Sequence, residues 1–168
     1  IHLQKVVSVN PDGSTYLASW RGQSVVIKLG DDIVNISLEI KRLMTINEAQ
    51  ESFPGPQLLG YDDIQKGGKV YAFYLMDYQP GLSLRRALQR QIQGGSNGLW
   101  IILQLLHHLE KLHRSGYVFG DWKPQHIVVS KEDNMSIRFV DLSGVTDHGR
   151  ELRKWTVLYD RRTWQAGS

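Results

Sequence analysis

The sequence predicts an α+β protein in two parts, because strand-forming and helix-forming patterns concentrate in different stretches of the chain. Short runs of β-branched and aromatic residues, separated by turn residues, dominate the sequence up to Tyr78. Helical periodicities dominate after Pro80-Gly81, a pair that interrupts helices and strands alike. Such segregation is typical of α+β domains. We expect an N-terminal antiparallel sheet with one helix in residues 1–79 and a reduced helical part in residues 80–168.

Length and composition place the chain among ordinary globular proteins. Of its 168 residues, 41% are hydrophobic and 22% are charged, which excludes a disordered chain. The absence of cysteine excludes a disulfide framework and a thiolate metal site, and it is consistent with a reducing compartment, so we expect a cytoplasmic protein. Gln104 already interrupts the longest apolar run, residues 99–106. A bilayer span needs roughly 20 apolar residues, so no membrane association is expected.

The net charge of +3 is too small to indicate a nucleic-acid partner by itself. The excess comes from the end of the chain, where basic and aromatic residues alternate. This tail would suit either a single-stranded nucleic acid or an amphipathic helix packed on the core; the second reading is favoured, so no nucleic-acid partner is expected. The residues concerned are Arg150, Arg153, Lys154, Trp155, Tyr159, Arg161, Arg162 and Trp164.

Five strands and one helix are predicted in the first part of the chain. Asn-Pro-Asp-Gly at residues 10–13 is a strong turn signal, and an antiparallel meander is the simplest arrangement of the first three strands. Apolar residues recur at three- and four-residue steps from Ile33 to Ile46, which predicts a helix that stops before residues 53–56. The predicted strands are residues 5–9, 15–20, 24–29, 58–61 and 70–78.

Two helices and a small hairpin are predicted in the second part. Ser83 is a suitable N-cap for a helix that runs to about residue 92, and a glycine-rich link follows. A longer helix runs from Leu99 to near Gly116. The apolar runs 127–129 and 137–140 predict the hairpin. One apolar face is expected on the longer helix, made of Leu99, Ile102, Leu103, Leu106, Leu109 and Leu112.

Lys28 is the lone charge on an otherwise apolar strand, Val-Val-Ile-Lys-Leu. Glu39 lies between apolar residues of the predicted helix. A buried ammonium is unfavourable unless it is paired, so the two residues are candidates for an ion pair or an anion site. Taken singly, they are better explained as an edge-strand lysine and a solvated helix glutamate.

A second group of charges lies between the long helix and the end of the hairpin. Asp121 and Lys123 occupy a turn that Pro124 restricts, and Asp141 ends an apolar strand. A carboxylate beside an ammonium on a rigid turn suits the orientation of a hydroxyl nucleophile and the neutralisation of a transferred phosphoryl group. Taken alone, Asp141 is equally well explained as a turn former.

Together, these segments resemble the motifs of protein kinases in the family's order. Val-Val-Ile-Lys28 resembles the Val-Ala-Ile-Lys strand, Gly-Asp121-Trp-Lys-Pro-Gln-His126 the catalytic loop, and Val-Asp141-Leu-Ser-Gly the Asp-Phe-Gly segment. Residues 71–84 resemble the strand and hinge that hold adenine. The resemblance covers residues 3–146 and implies a single kinase-like domain over residues 1–168, with two lobes and of the small bacterial type.

The resemblance implies a nucleotide site in the first part. Lys28 would hold the α- and β-phosphates of ATP and pair with Glu39. Met76 would be the gatekeeper, and the backbone of Asp77 and Gln79 would contact adenine. Gly13 is the glycine that remains of the glycine-rich phosphate loop.

The resemblance also implies a catalytic and metal site in the second part. Asp121 would orient the acceptor hydroxyl, Lys123 would neutralise the γ-phosphate, and Asp141 would bind Mg²⁺. His126 stands where the family has a second metal-binding asparagine. Imidazole suits Mn²⁺ better than the hard Mg²⁺, so Mn²⁺ is a second candidate metal.

Further departures concern regulation and length. Phe119-Gly120 replace the His-Arg that precedes the aspartate, so no arginine anchors a phosphorylated activation loop, and Leu142-Ser143 replace Phe-Gly. Only 27 residues follow Asp141, which indicates either a minimal kinase-like protein or a truncated chain. A truncated fold would expose apolar surface, so a homo-oligomer is a candidate state.

The function that the resemblance implies is ATP-dependent transfer of the γ-phosphate to a serine or threonine hydroxyl of a protein whose identity the sequence does not give. One alternative is a pseudokinase that binds nucleotide or protein without turnover. Another is a small-molecule kinase of the same fold, because Gly120-Asp121 resembles the His-Gly-Asp loop of sugar and antibiotic kinases; Lys123-Pro124 argues against it.

Overall fold

The computed structural model describes residues 1–10, 13–49, 53–94, 98–130, 135–142 and 144–147. The chain divides into two compact units. The first contains Ile1–Glu51 and Pro56–Gln79, and the second contains Ser52–Gly55 and the chain from Pro80 onward. The basic and aromatic tail singled out above lies outside the described residues.

The first unit is built on a five-stranded antiparallel sheet. The strand order is β1-β2-β3-β5-β4, so the first three strands form the predicted meander. Ala18, Val25, Ile27 and Leu75 form a buried apolar cluster on this sheet. The strands are β1 His2–Asn10, β2 Gly13–Trp20, β3 Gln23–Gly30, β4 Leu58–Lys66 and β5 Lys69–Asp77.

Helix α1, Ile33–Ala49, packs against β3, β4 and β5. It begins after Asp32, whose Oδ1 accepts the backbone N–H of Asn35 at 3.0 Å, as an N-cap carboxylate does. Four of its six predicted apolar positions form the buried face, Ile36, Ile40, Leu43 and Ile46, each no more than 9% exposed, whereas Ile33 and Met44 are exposed. Near its end, the Asn47 side chain accepts the Leu58 backbone N–H at 3.0 Å and donates to the Pro56 carbonyl at 3.1 Å, which joins the helix to β4.

The second unit contains two helices and two small sheets among the described residues. Its helices are α2 Leu84–Gly94 and α3 Gly98–Arg114. The predicted hairpin is present as β8 Ile127–Val129 and β9 Ile137–Phe139, and β6 Leu82–Ser83 extends it. Strands β7 Tyr117–Phe119 and β10 Val145–Asp147 pair antiparallel. Strands β6, β7 and β10 are not among the predicted elements, because two or three residues are too few to show a period.

The predicted buried face of α3 is wrong at four of its six positions, whereas Leu112 is buried as predicted and Leu109 is half-buried. The buried residues are Ile101, Leu105 and Leu112, whereas Leu99, Ile102, Leu103 and Leu106 are exposed. The first half of the helix is apolar on all sides, so its spacing fits more than one face, and contacts with β7 and β9 select among them. On this helix, burial lowers the pKa of His108 to about 4, with a smaller effect from His107 and Lys111, so the ring is neutral at neutral pH.

Within the described part of the chain, no helix has both the length and the apolar character needed to cross a membrane.

Candidate functional site

Lys28 and Glu39 form a largely buried ion pair in the first unit. Lys28 Nζ on β3 lies 2.7 Å from Glu39 Oε2 on α1, and the two side chains are 17% and 9% exposed. The positions of the strand and the helix explain this pairing. Lys28 lies on β3, one of the strands against which α1 packs, and Glu39 lies one residue from the buried Ile40. The fold therefore brings together two charges that lie 11 residues apart in the sequence, one on β3 and the other on α1.

A third residue, Tyr74, joins this pair and was missed by the sequence analysis. Its hydroxyl donates to Glu39 Oε2 at 3.0 Å, and the residue is 4% exposed. Tyr74 lies on β5 directly opposite Lys28 in the antiparallel register. A buried tyrosine hydroxyl requires a hydrogen-bond partner. The position of Tyr74 on the alternating buried face of a predicted strand was therefore the signal that could have found it.

Met76 and Asp77 at the end of β5, and Gln79 two residues beyond it, are the residues predicted to surround adenine. Met76 is buried and lies opposite Val26 of β3. Asp77 Oδ1 accepts the Gln57 backbone N–H at 2.6 Å, and Oδ2 accepts from the side-chain amide of Gln79, which is buried. The Asp77 backbone N–H donates to the Gln57 carbonyl at 3.1 Å. The protein itself therefore uses this N–H.

Gly13 begins β2 and pairs with Asn10 of β1. Its φ is 142°, and a Cβ at this position would lie 2.6 Å from the carbonyl oxygen of Leu29 on β3. The close approach of the two strands therefore requires glycine here for steric reasons, whether or not a phosphate lies nearby.

Asp121 and Lys123 form a close ion pair in the second unit. Lys123 Nζ lies 2.8 Å from Asp121 Oδ1 and 3.0 Å from Oδ2, so the ammonium contacts both carboxylate oxygens. The Asp121 side chain is 7% exposed and that of Lys123 is 40% exposed. A buried carboxylate is thus paired with a cation that solvent and a ligand can still reach.

Backbone hydrogen bonds hold the Asp121 loop against the segment that follows Asp141. The Gly120 N–H donates to the Gly144 carbonyl at 2.9 Å, beside the pairing of β7 with β10. Gly144 lies so close that a Cβ there would be 2.4 Å from the Asp121 Cβ and 2.6 Å from its backbone nitrogen. The Val140 N–H donates to the carbonyl of His126 at 2.9 Å. These contacts fix the two aspartate-bearing segments side by side.

His126 connects the two aspartates. Its Nδ1 lies 3.0 Å from the backbone carbonyl of Asp121, and its Nε2 lies 3.8 Å from Asp141 Oδ2. A carbonyl oxygen only accepts, so Nδ1 carries the proton, and in the neutral ring Nε2 presents its lone pair on the side of Asp141. A metal-binding histidine typically donates its other nitrogen to a carbonyl or carboxylate in this way. The imidazole and the Asp141 carboxylate therefore fit a divalent metal as a nitrogen–oxygen pair, which suits Mn²⁺ better than Mg²⁺.

The protein ligands of such a metal would be few. Across the described ranges, no group of three or more His, Cys, Asp or Glu side chains is arranged to hold a metal ion. Phosphate oxygens and water would have to complete the coordination shell, as is usual where a metal is bound together with a nucleotide.

The predicted site residues are thus divided between the units. The first unit holds Gly13, Lys28, Glu39, Met76, Asp77 and Gln79, and the second holds Asp121, Lys123, His126 and Asp141. Lys28 contacts Glu39 in the first unit, and Lys123 contacts Asp121 in the second.

A comparison with curated proteins found two relatives. The chain is 32% identical to the serine/threonine-protein kinase YabT of Bacillus subtilis over an alignment of 171 positions that covers 99% of this chain and 49% of the Bacillus protein. It is 27% identical to the serine/threonine-protein kinase PknG of Mycolicibacterium smegmatis over 101 residues, which are 60% of this chain and 12% of that protein. No family model matches the chain.

The chain therefore spans about half the length of the first relative and a smaller share of the second. The match to YabT extends over nearly the whole chain, including both groups of charged residues described above. The fold has the α+β class and the antiparallel sheet with one helix that the kinase resemblance implied. This chain is related to the bacterial serine/threonine protein kinases.

Proposed function

We propose that the chain carries the nucleotide-binding and catalytic residues of an ATP-dependent protein kinase. The observation that carries this proposal is the ion pair between Lys28 and Glu39, 2.7 Å apart and largely withdrawn from water. A buried ion pair contributes little to stability compared with apolar residues of the same volume. Its presence on this sheet is therefore better explained by a polyanionic ligand. The names of the two relatives support the same activity.

In this proposal, ATP contacts the first unit through its phosphates and its base. Lys28 holds the α- and β-phosphates, and Gly13 lets the backbone of β2 lie close to β3 beside them. Met76 limits the depth of the adenine site. The backbone of Asp77 and Gln79 contacts the base.

The chemical step is assigned to Asp121 and Lys123. The oxygen of a serine or threonine hydroxyl forms a bond to the γ-phosphorus, the bond from that phosphorus to the β–γ bridging oxygen breaks, and ADP leaves. Asp121 orients the hydroxyl and accepts its proton. Lys123, whose ammonium is already beside Asp121 and partly exposed, neutralises charge on the transferred group.

Asp141 and His126 are the proposed metal ligands. When bound, a divalent metal neutralises charge on the phosphate oxygens. The chain's own contribution is to fix His126 through its bond to the Asp121 carbonyl, so that the ring nitrogen and the Asp141 carboxylate stay on the same side.

Transfer of radiolabelled phosphate from ATP to the chain itself and to a generic protein acceptor tests the proposal. Asp121→Asn should lower transfer by roughly 100-fold or more, the usual contribution of a positioned general base, and should leave ATP binding in place. Glu110→Gln is the matched control, because Glu110 is an exposed carboxylate of the same unit that pairs with Arg114. Equal transfer by Asp121→Asn and the wild type would contradict the proposal.

A nucleotide-binding pseudokinase is the second candidate, and a specific observation favours it. Only two residues separate the paired Asn10 and Gly13, so the phosphate loop of active kinases is reduced here. Thermal stabilisation by ATP without any transfer would support this candidate over the first. A small-molecule kinase is distinguished by an acceptor panel, in which sugars would be labelled and protein would not.

Several finer expectations stay predictions. These are one kinase-like domain over residues 1–168, a protein acceptor, a cytoplasmic location and a homo-oligomeric state. Size-exclusion chromatography with light scattering tests the last of these.

A further inference from the structure

We propose that Tyr74 is a positioning residue that fixes the Glu39 carboxylate beside Lys28 before any nucleotide binds. The inference rests on the proposed function, since the fixed carboxylate matters only if the Lys28 ammonium receives a phosphate. It assigns a role to a residue outside the motifs that the sequence analysis identified.

The geometry joins three elements at one oxygen atom. Glu39 Oε2 on α1 is 2.7 Å from Lys28 Nζ on β3 and 3.0 Å from Tyr74 Oη on β5. Lys28 and Tyr74 face each other across neighbouring antiparallel strands. Two adjacent strands therefore reach the same carboxylate oxygen of the helix that packs on them.

The two contacts differ in stiffness. A lysine ammonium is a point charge on a flexible stem, so by itself it fixes the distance of Glu39 more than its orientation. A tyrosine side chain has two torsion angles and a rigid ring. Tyr74 is 4% exposed, so its hydroxyl can move little without disturbing the sheet. The phenol therefore orients the carboxylate, and the carboxylate in turn places the ammonium.

Sharing the oxygen has a second consequence. A charge-assisted hydrogen bond from Tyr74 satisfies part of the accepting capacity of Glu39. Glu39 therefore needs fewer hydrogen bonds from Lys28, and the remaining N–H donors of the Lys28 ammonium can bind a phosphate. The ring of Tyr74 alone cannot do this, and a phenylalanine would fill the same space in the core. The hydroxyl is thus what distinguishes a positioning role from packing.

Tyr74→Phe removes the hydroxyl and keeps the ring. We expect this substitution to weaken ATP affinity, measured by calorimetry, about tenfold, the size of one hydrogen bond to a charged group. We also expect faster amide hydrogen exchange in α1 without nucleotide, by a similar factor. Tyr71→Phe on the same strand is the matched control, because residues three apart on a strand lie on opposite faces. It should leave both quantities unchanged.

A double-mutant cycle separates positioning from packing. In a Glu39→Ala background, Tyr74→Phe should change ATP affinity and α1 exchange less than twofold, because its target is absent. If Glu39→Ala does not fold, as judged by circular dichroism, Glu39→Gln takes its place and should still reduce the effect of Tyr74→Phe by more than half. Additive effects, or equal behaviour of Tyr74→Phe and Tyr71→Phe, would overturn the proposal.

The exchange measurement keeps this inference distinct from the proposed function. A wild-type chain that binds no ATP at any tested concentration would contradict the proposed function. The exchange cycle in α1 uses no nucleotide, and it would then decide alone whether Tyr74 fixes Glu39.

Discussion

His126 uses one ring nitrogen for the protein and presents the other toward a carboxylate. The bond from Nδ1 to the Asp121 carbonyl sets both the tautomer and the orientation of the ring, and Nε2 then lies 3.8 Å from Asp141 Oδ2. An asparagine at this position would offer an oxygen to the metal in place of a nitrogen. The residue at position 126 should therefore determine which divalent metal the site prefers.

His126→Asn should lower Mn²⁺ affinity relative to Mg²⁺ affinity by about tenfold, because a nitrogen ligand is exchanged for a hard oxygen. Electron paramagnetic resonance of Mn²⁺, with Mg²⁺ as competitor and a non-hydrolysable ATP analogue present, measures the ratio without turnover. His113→Asn on the exposed part of α3 is the control. An unchanged ratio in His126→Asn would show that His126 is not a ligand.

The sequence could predict charged site residues when their context was unusual. Lys28 and Glu39 are charges among apolar neighbours, and the structure pairs them. The sequence around Tyr74 is not unusual, because tyrosine is common in strands. Its proposed role depends on one hydrogen bond of its hydroxyl, which the sequence does not reveal. Gln57 could not be predicted either, since only its backbone groups form hydrogen bonds with Asp77. Contacts made by the backbone, or by residues far apart in the chain, require the fold to be known.

At the scale of elements, two very short strands, and not a helix, position the Asp121 loop in the second unit. Strands β7 and β10 hold the Asp121 loop beside the segment after Asp141, and the approach is close enough to require glycine at position 144. The three atoms of Asp121 that a Cβ would meet lie between 2.4 and 2.9 Å away, and two of them belong to the backbone. Backbone atoms cannot rotate away as a flexible side chain would, so the loop itself would have to shift.

Gly144→Ala should therefore displace Asp121 and lower phosphoryl transfer by roughly 100-fold, because a shift of about 1 Å can have that effect on a reacting group. It should also lower the free energy of unfolding by about 1–3 kcal/mol, the usual effect of overpacking. Urea denaturation and the transfer assay measure the two effects.

Gly98→Ala serves as the control for this substitution. Gly98 belongs to the same unit, and a Cβ there would meet nothing within 4 Å. If Gly144→Ala behaved like this control in both measurements, the close approach of the two segments would be wrong.

Periodicity predicted the existence of the helices and strands more accurately than their buried faces and their ends. The buried face of α1 was correct except at Ile33 and Met44, because its other apolar residues follow one stripe. Helix α3 is apolar around most of its first half, so only its tertiary neighbours decide that Ile101 and Leu105 are buried. Strand β4 continues to Lys66, five residues beyond its predicted end, because pairing with β5 stabilises polar and exposed residues that lack any strand pattern.

At the scale of the whole molecule, the chain crosses between its two units more than once. Phe53 stacks on Phe139 with ring centroids 5.2 Å apart, and the Phe139 N–H donates to the Pro54 carbonyl at 2.7 Å. This short segment therefore belongs with the unit that contains Asp121, although it lies between α1 and β4 in the sequence. A division read along the sequence places a boundary at Pro80 but cannot find such an excursion, because its partners are about 85 residues away.

The proposed function requires both units to respond to one ligand, which gives a test at this scale. ATP with Mn²⁺ should slow amide exchange in β3 and α1 of the first unit and in residues 120–126 of the second. It should also raise the free energy of unfolding by about 2.7 kcal/mol at a ligand concentration 100 times Kd. Lys28→Met should remove protection from both units together, since it removes the cation proposed to hold the phosphates. Lys69→Met, which removes an exposed lysine that pairs with Asp31, should leave protection unchanged in both. Loss of protection in the first unit alone would mean that Asp121 and its loop act on a different ligand, and the assignment of one phosphoryl-transfer reaction to both groups of residues would be wrong.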